Sequence, residues 1–222
     1  MSVNAARKSA CATNGLAAYN RGMIKAVIFD LGGVIVPFDF KRAYARMEGL
    51  CPYPAAEILQ QLRSTDLVTR FETGRIEPQA FVREVSGILE LRTSYDEFCD
   101  IFNCIFMPET LVPESLLERI RERHRLLLLS NTNPIHFSMI DQSYPIIRHF
   151  EDRVLSYRVG VQKPSPRIYQ EAIARAGCRP EECFFTDDVA AFVDAARREG
   201  IDAVQFQSAA QIERELKNRE SW

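Results

Sequence analysis

Short apolar runs recur along the chain at residues 25–29, 126–129, 183–186 and 203–206, with a weaker fifth, "RVLS", at 153–156. The segments between them carry apolar residues at helical spacing. Short apolar strands alternating with helices mark a parallel sheet built through crossover helices. The pattern therefore predicts an α/β protein: a three-layer, Rossmann-like parallel sheet. Helix ends are punctuated too. In "SPRIYQEAIARAG", Ser165 is placed to cap, Pro166 to occupy the first turn and Gly177 to end the helix, while "VAAFVDAARREG" stops at Gly200. No internal repeat or low-complexity tract interrupts this order.

Between the first run and the second lies a stretch without a convincing strand, far longer than a crossover needs. Amphipathic patterns at 40–49, 54–63, 77–90 and 94–105 read as a small helical bundle, broken by "CPYP" and "ETGR". The core pattern returns with a helix at 113–123. These boundaries predict an α/β core of residues 23–37 and 110–222, with an all-helical cap at 38–109 inserted after the first strand. Phe81, Phe98, Phe102 and Phe106 are expected in the cap interior. Residues 1–22 contain no acid and no signal-length apolar core, and read as a flexible extension. A functional start at Met23 is an alternative, and a transit peptide a third.

In open parallel sheets the ligand crevice lies at the carboxyl ends of the strands. In "AVIFDLGGVIV" the first apolar run ends on Asp30; the second ends on Ser130 and Asn131, and "FFTDD" ends on Asp187 and Asp188. Lys163, in "VGVQKPSP", follows the weak fifth run and precedes a helix start, within reach of the same edge. Three carboxylates gathered there repel one another unless cations neutralise them. One lysine and one divalent ion do so, and hard oxygen ligands suit Mg²⁺. Ser130 and backbone N–H groups near Asn131 are placed to grip phosphate oxygens. Each residue has a plainer alternative: Asp30, Asp187 and Asp188 as turn or cap acids, Ser130 as a capping hydroxyl, Asn131 as a turn former and Lys163 as a solvated loop charge.

The motifs "FDLGGV", "LLLLSNTN", "QKPSPRIY" and "FFTDD", in this order, resemble the haloacid dehalogenase superfamily over residues 24–207. The chain looks most like the subgroup that includes sugar 1-phosphate phosphatases of the α-D-glucose-1-phosphate type. The resemblance implies that Asp30 attacks phosphorus and becomes an aspartyl phosphate. It implies that Ser130, Asn131 and Gly33 contact the phosphoryl group and that Lys163 offsets charge. Mg²⁺ is implied on Asp30, Asp187, Asp188 and the Gly32 carbonyl, with the helical insert as a lid.

Two departures alter that picture. The family's general acid/base is Gly32 here, so a substitute is needed or the leaving group needs little help. Asp39 is the first candidate, followed by His136 and a metal-adjacent water. Asp39 and Arg42 read equally well as helix initiation and a solvated helix face, and His136 as a helix-surface or satisfied loop residue. In "DDVAAF", Val189, Ala191 and Phe192 stand where many relatives carry a metal-orienting polar side chain. Glu72 and Arg75 lie at a break between cap helices, where a loop can reach the substrate; the plainer reading is a turn around Gly74.

Composition trims the function classes. A formal net charge of −2 over 222 residues, with basic residues scattered among acids, offers no nucleic-acid footprint. No apolar window approaches the roughly 18 residues of a membrane span. Six cysteines without CxxC spacing read as buried reduced thiols, which favours the cytoplasm. The expected partner is a small phosphorylated metabolite, bound by a monomer or homodimer. The leading function is a Mg²⁺-dependent phosphatase, with sugar phosphates as the main substrate class. The alternatives are a metal-independent 2-haloacid dehalogenase, against which the acid pair argues, and a catalytically weak binding protein of the same fold. A phosphomutase would use the acid that Gly32 lacks.

Overall fold

The computed structural model describes residues 23–219; the expected extension 1–22 lies outside them. Five parallel strands form the sheet: β1 (Ala26–Phe29), β2 (Arg125–Ser130), β3 (Asp152–Leu155), β4 (Cys183–Asp187) and β5 (Asp202–Gln205), in the order β3-β2-β1-β4-β5. β1 is central, with Ile28 in register with Leu127 on one side and Phe185 on the other. The weak fifth run is an edge strand.

Alternation along the strands sorts their side chains into two cores. Val27, Phe29, Leu126, Leu128 and Phe184 join one cluster; Ala26, Ile28, Leu127, Leu129 and Phe185 join the other. The first is covered by residues of α6 (Glu114–Arg121), α7 (Pro134–Ser143) and α11 (Ala209–Asn218). The second is covered by α9 (Pro166–Ala176) and α10 (Ala190–Arg198). Burial on both faces is why the strands read as unbroken apolar runs.

Five helices stand between β1 and β2 ahead of α6: α1 (Phe40–Met47), α2 (Ala55–Arg63), α3 (Leu67–Glu72), α4 (Pro78–Leu89) and α5 (Tyr95–Asn103). They build a third cluster, in which Phe71 stacks on Phe81 at 3.9 Å between ring centroids. Phe81 and Phe98 are buried as expected. Phe102 and Phe106 are only partly so, and both rings pack on His136 of α7, at centroid distances of 4.0 and 5.0 Å. The six-residue α3 has no counterpart in the sequence pattern, being too short to display a period. Ser165 also departs from expectation: it sits at the N-cap of α9 without a side-chain bond, and Pro166 opens the helix. Gly177 ends it in the left-handed conformation, as the sequence indicates. The described cysteines are free thiols; Cys183 is buried and Cys51, Cys99, Cys104 and Cys178 are partly so. Among the described residues no helix is long and apolar enough to cross a membrane.

Candidate active site

Asp30 follows β1, Ser130 ends β2 and Asp187 ends β4, so three neighbouring strands deliver polar groups to one edge of the sheet. Oxygens of Asp30, Asp187 and Asp188 lie within 4.8 Å of one another. Lys163, 1% exposed, threads its ammonium between two of them, 2.8 Å from Asp30 Oδ1 and 2.5 Å from Asp187 Oδ2, and donates to Leu129 O at 3.3 Å. The ammonium also lies over the rings of Phe185 and Phe192, 5.7 and 5.1 Å from their centroids. Asp187 is fully buried, and its other oxygen accepts from Val189 N at 2.8 Å.

Burial pushes the Asp30 carboxyl up to about 7; Lys163 opposes the rise and Asp187 adds to it. Burial and Asp187 also raise Asp188. Burial alone would lower the lysine, but Asp30 and Asp187 outweigh it and hold the ammonium above its ordinary range. Three carboxylates against one ammonium leave roughly two negative charges. A divalent cation with a preference for hard oxygens balances such a set, and the donors fit magnesium.

The loop after β1 is shaped around these acids. Gly33 sits at φ +75°, and a Cβ there would lie 2.5 Å from Asp188 Oδ2. Its N–H donates to Val36 O at 3.0 Å. A glycine here lets the loop pass close to Asp188. A Cβ at Gly32 would fall 2.8 Å from Cε1 of Phe38, whose ring fills the space where a side chain at 32 would begin. Asn131 exchanges two hydrogen bonds with the backbone of Lys163, at 2.8 and 3.0 Å, and so pins the lysine loop. Its side chain is committed there instead of to a ligand. Asn133 caps α7 by accepting from His136 N, and the Ser156 hydroxyl bonds both backbone groups of Thr132. Ser130 is 2% exposed, and its hydroxyl makes only a long contact, 3.4 Å, to Asn131 O.

A cavity of about 710 Å³ opens among α1 to α5, walled mainly by their apolar side chains and reaching Asn133 and His136 at the start of α7; it nears the acid edge at Phe38, whose ring abuts Gly32. Phe38, Phe40 and Val68, each about two-fifths exposed, stand on its lining. Asp39 lines it as well, but one of its oxygens caps α1 by accepting from Lys41 N at 2.9 Å. Arg42 ties α1 to the end of α5 through Cys104 O at 2.8 Å, so its role is internal to the helices. His136 donates from Nε2 to Phe102 O at 3.1 Å and accepts from Asn133 at Nδ1, while burial presses its pKa down to about 3. It is a neutral, satisfied histidine. Glu72, at the end of α3, also lines the cavity, and burial raises its carboxyl to about 7 against the pull of Lys163. The residue that sequence reasoning missed is Phe38, whose only signal was its place two residues beyond the apolar run.

Such a fold, with acids and a lysine gathered at the carboxyl edge of the sheet, defines a class of α/β hydrolases that work at a strand-end aspartate. The family description haloacid dehalogenase-like hydrolase matches residues 24–200, and the chain belongs to that family. It is 26% identical over 200 residues to the D-ribitol-5-phosphate phosphatase of Bacteroides thetaiotaomicron, covering 87% of this chain and 97% of that one. A crystal structure of a family enzyme from the same organism, in complex with magnesium and inorganic phosphate, superposes with a TM-score of 0.74 at 26% identity, over 83% of this chain and 95% of that chain. A predicted family hydrolase from Porphyromonas gingivalis gives 0.75 at 28%, over 88% and 99%. None of these relatives singles out the glucose-1-phosphate subgroup.

Proposed function

We propose that this chain is a magnesium-dependent phosphatase of a small phosphorylated metabolite, working through an aspartyl phosphate on Asp30. The observation that carries this reading is the convergence of Asp30, Asp187 and Asp188 within 4.8 Å around the buried ammonium of Lys163. Asp30, Asp187, Asp188 and the Gly32 carbonyl would hold Mg²⁺, which when bound screens the acids and polarises the phosphoryl group. Asp30 attacks phosphorus. Lys163 keeps it ionised and supports the charge of the transferred group. Ser130 offers a buried hydroxyl to a phosphoryl oxygen, and Asn131 fixes the lysine. The helices of residues 38–109 act as a cap that excludes water during transfer. The free thiols suit a reducing, cytoplasmic setting.

The relative named for ribitol 5-phosphate supports a sugar or polyol phosphate as substrate. The aromatic and aliphatic walls of the cavity favour a second reading, a phosphate ester whose alcohol has an apolar body. A panel of phosphomonoesters that spans polyol, alkyl and aryl alcohols separates the two. Turnover is expected to require Mg²⁺ and to vanish in Asp30→Asn. Activity that survives this substitution removes the mechanism. Halide release from a 2-haloacid in the presence of chelator replaces it with the dehalogenase alternative.

A further inference from the structure

Resting on the phosphatase reading above, we propose that Glu72 protonates the leaving oxygen, and so supplies in this chain the carboxyl that Gly32 lacks. Position 32 has no side chain, and the ring of Phe38 stands 2.8 Å from where its Cβ would lie. The two substitutes suggested by sequence are otherwise engaged: Asp39 caps α1, and both nitrogens of His136 are satisfied. Glu72 lines the cavity that meets Gly32 through the ring of Phe38, its carboxyl lies near enough to feel the Lys163 charge, and among the described residues its carboxylate has no hydrogen-bond or ion-pair partner.

Its placement is built, not incidental. The turn after Glu72 is locked by Thr73 Oγ1, which donates to Thr69 O at 2.6 Å and accepts from Arg75 Nε at 2.8 Å. Gly74, at φ +67°, seats this turn on the core, where any Cβ would collide with the carbonyl oxygen of Tyr157 beside the end of β3. α3 packs there on α8 (Ser156–Val159). The one charge that acts on Glu72 is Lys163 from the core; Asp39 and Lys41 from the start of α1, Arg63 from α2 and neutral His136 from α7 line the same cavity. Burial dominates over the lysine and holds the carboxyl near 7, where it can both give and take a proton near neutrality.

The step balances without a further reactant. An Asp30 oxygen forms the new bond to phosphorus while the bond from phosphorus to the leaving oxygen breaks, its electron pair staying on that oxygen. The Glu72 proton moves to it and the alcohol departs. Glu72, now a carboxylate, takes a proton from the water that attacks the aspartyl phosphate. The bond from phosphorus to Asp30 breaks, inorganic phosphate leaves, and both acids return to their starting states.

The test compares 4-nitrophenyl, phenyl and benzyl phosphate, a series of worsening leaving groups, in the full chain with Mg²⁺. Compared throughout by kcat/KM, which stops at formation of the aspartyl phosphate, Glu72→Gln should lose little on 4-nitrophenyl phosphate, whose leaving group needs no proton, and ~10² to 10⁴ on benzyl phosphate, the usual contribution of a general acid, while kcat falls on all three through the lost base. The fall of wild-type kcat/KM for benzyl phosphate above about pH 7 should disappear in the variant. An equal loss on all three esters, no loss on benzyl phosphate, or a leaving-group dependence found in Asp39→Asn instead overturns the assignment. Wild type alone gives a second test, independent of whether the variant folds: its rates should vary little along the series, and a steep decline overturns the proposal. Absence of any turnover by wild type would instead sink the phosphatase reading itself.

Discussion

Lys163→Met deletes the cation that lies over Phe185 and Phe192 and touches Asp30 and Asp187. Asp187 is 0% and Asp30 7% exposed, so water replaces little of what is lost. Breaking a buried ion pair by removal of one partner costs ~3–5 kcal/mol, a large share of the ~5–15 kcal/mol that holds a domain folded. The two acids escape the penalty only by taking up protons. The Asp30 carboxyl, already raised by burial, climbs further without the lysine, so stability is retained at low pH and lost as pH increases through its folded value. Urea unfolding in EDTA at about pH 8 should therefore show the full deficit, and at about pH 5 a smaller one. Adding Asp187→Asn to the variant should recover part of it. A deficit under about 1 kcal/mol at the higher pH, or one that does not change with pH, would refute this account of the lysine.

Gly33→Ala should cost ~1–2 kcal/mol for the left-handed backbone. It should also displace Asp188, raising the Mg²⁺ concentration that half-saturates activity. Gly32→Asp should improve benzyl phosphate turnover only when combined with Phe38→Ala, because the ring must leave before the carboxyl can enter. Hydrogen bonds from Lys25 and from the Arg179 backbone pull the Glu182 carboxyl down from 4.5 to about 2. Its stabilising contribution is complete above 4.5 and disappears as pH falls through about 2, so urea midpoints of Glu182→Gln and wild type should differ near neutrality and converge in strong acid. Replacing Glu72 by Gln removes a carboxyl whose ionisation burial opposes by roughly 3 kcal/mol. Because its folded pKa is raised, wild type loses this stability as pH climbs from 4.5 through about 7, and the variant should gain on it by thermal or urea unfolding over that window.

The sheet was legible because both of its faces are buried, which turns each strand into a continuous apolar word that closes on a polar residue. Asp30, Ser130 and Asp187 stood out for the same reason. Strand ends moved by a residue: β5 starts at Asp202 and β4 runs on to Asp187, since backbone pairing does not stop where apolarity does. The helix α3 was hidden by its length. Roles that depend on packing were hidden as well. The Asn131 side chain clamps the lysine loop, Gly33 makes room for Asp188, and the Phe38 ring stands where a side chain at position 32 would begin. The cavity draws its walls from six helices and three connecting segments, so no single stretch of sequence announces it.

The central claim is that a phosphoryl group passes through Asp30. Acid-quenched turnover with Mg²⁺ and 4-nitrophenyl phosphate, followed by peptide mass spectrometry, reads this directly. The account predicts one hydroxylamine-sensitive phosphoryl group on the peptide that contains Asp30, absent from Asp30→Asn. Steady turnover with that peptide unmodified in rapidly quenched samples, while Asp30→Asn remains active, would contradict it.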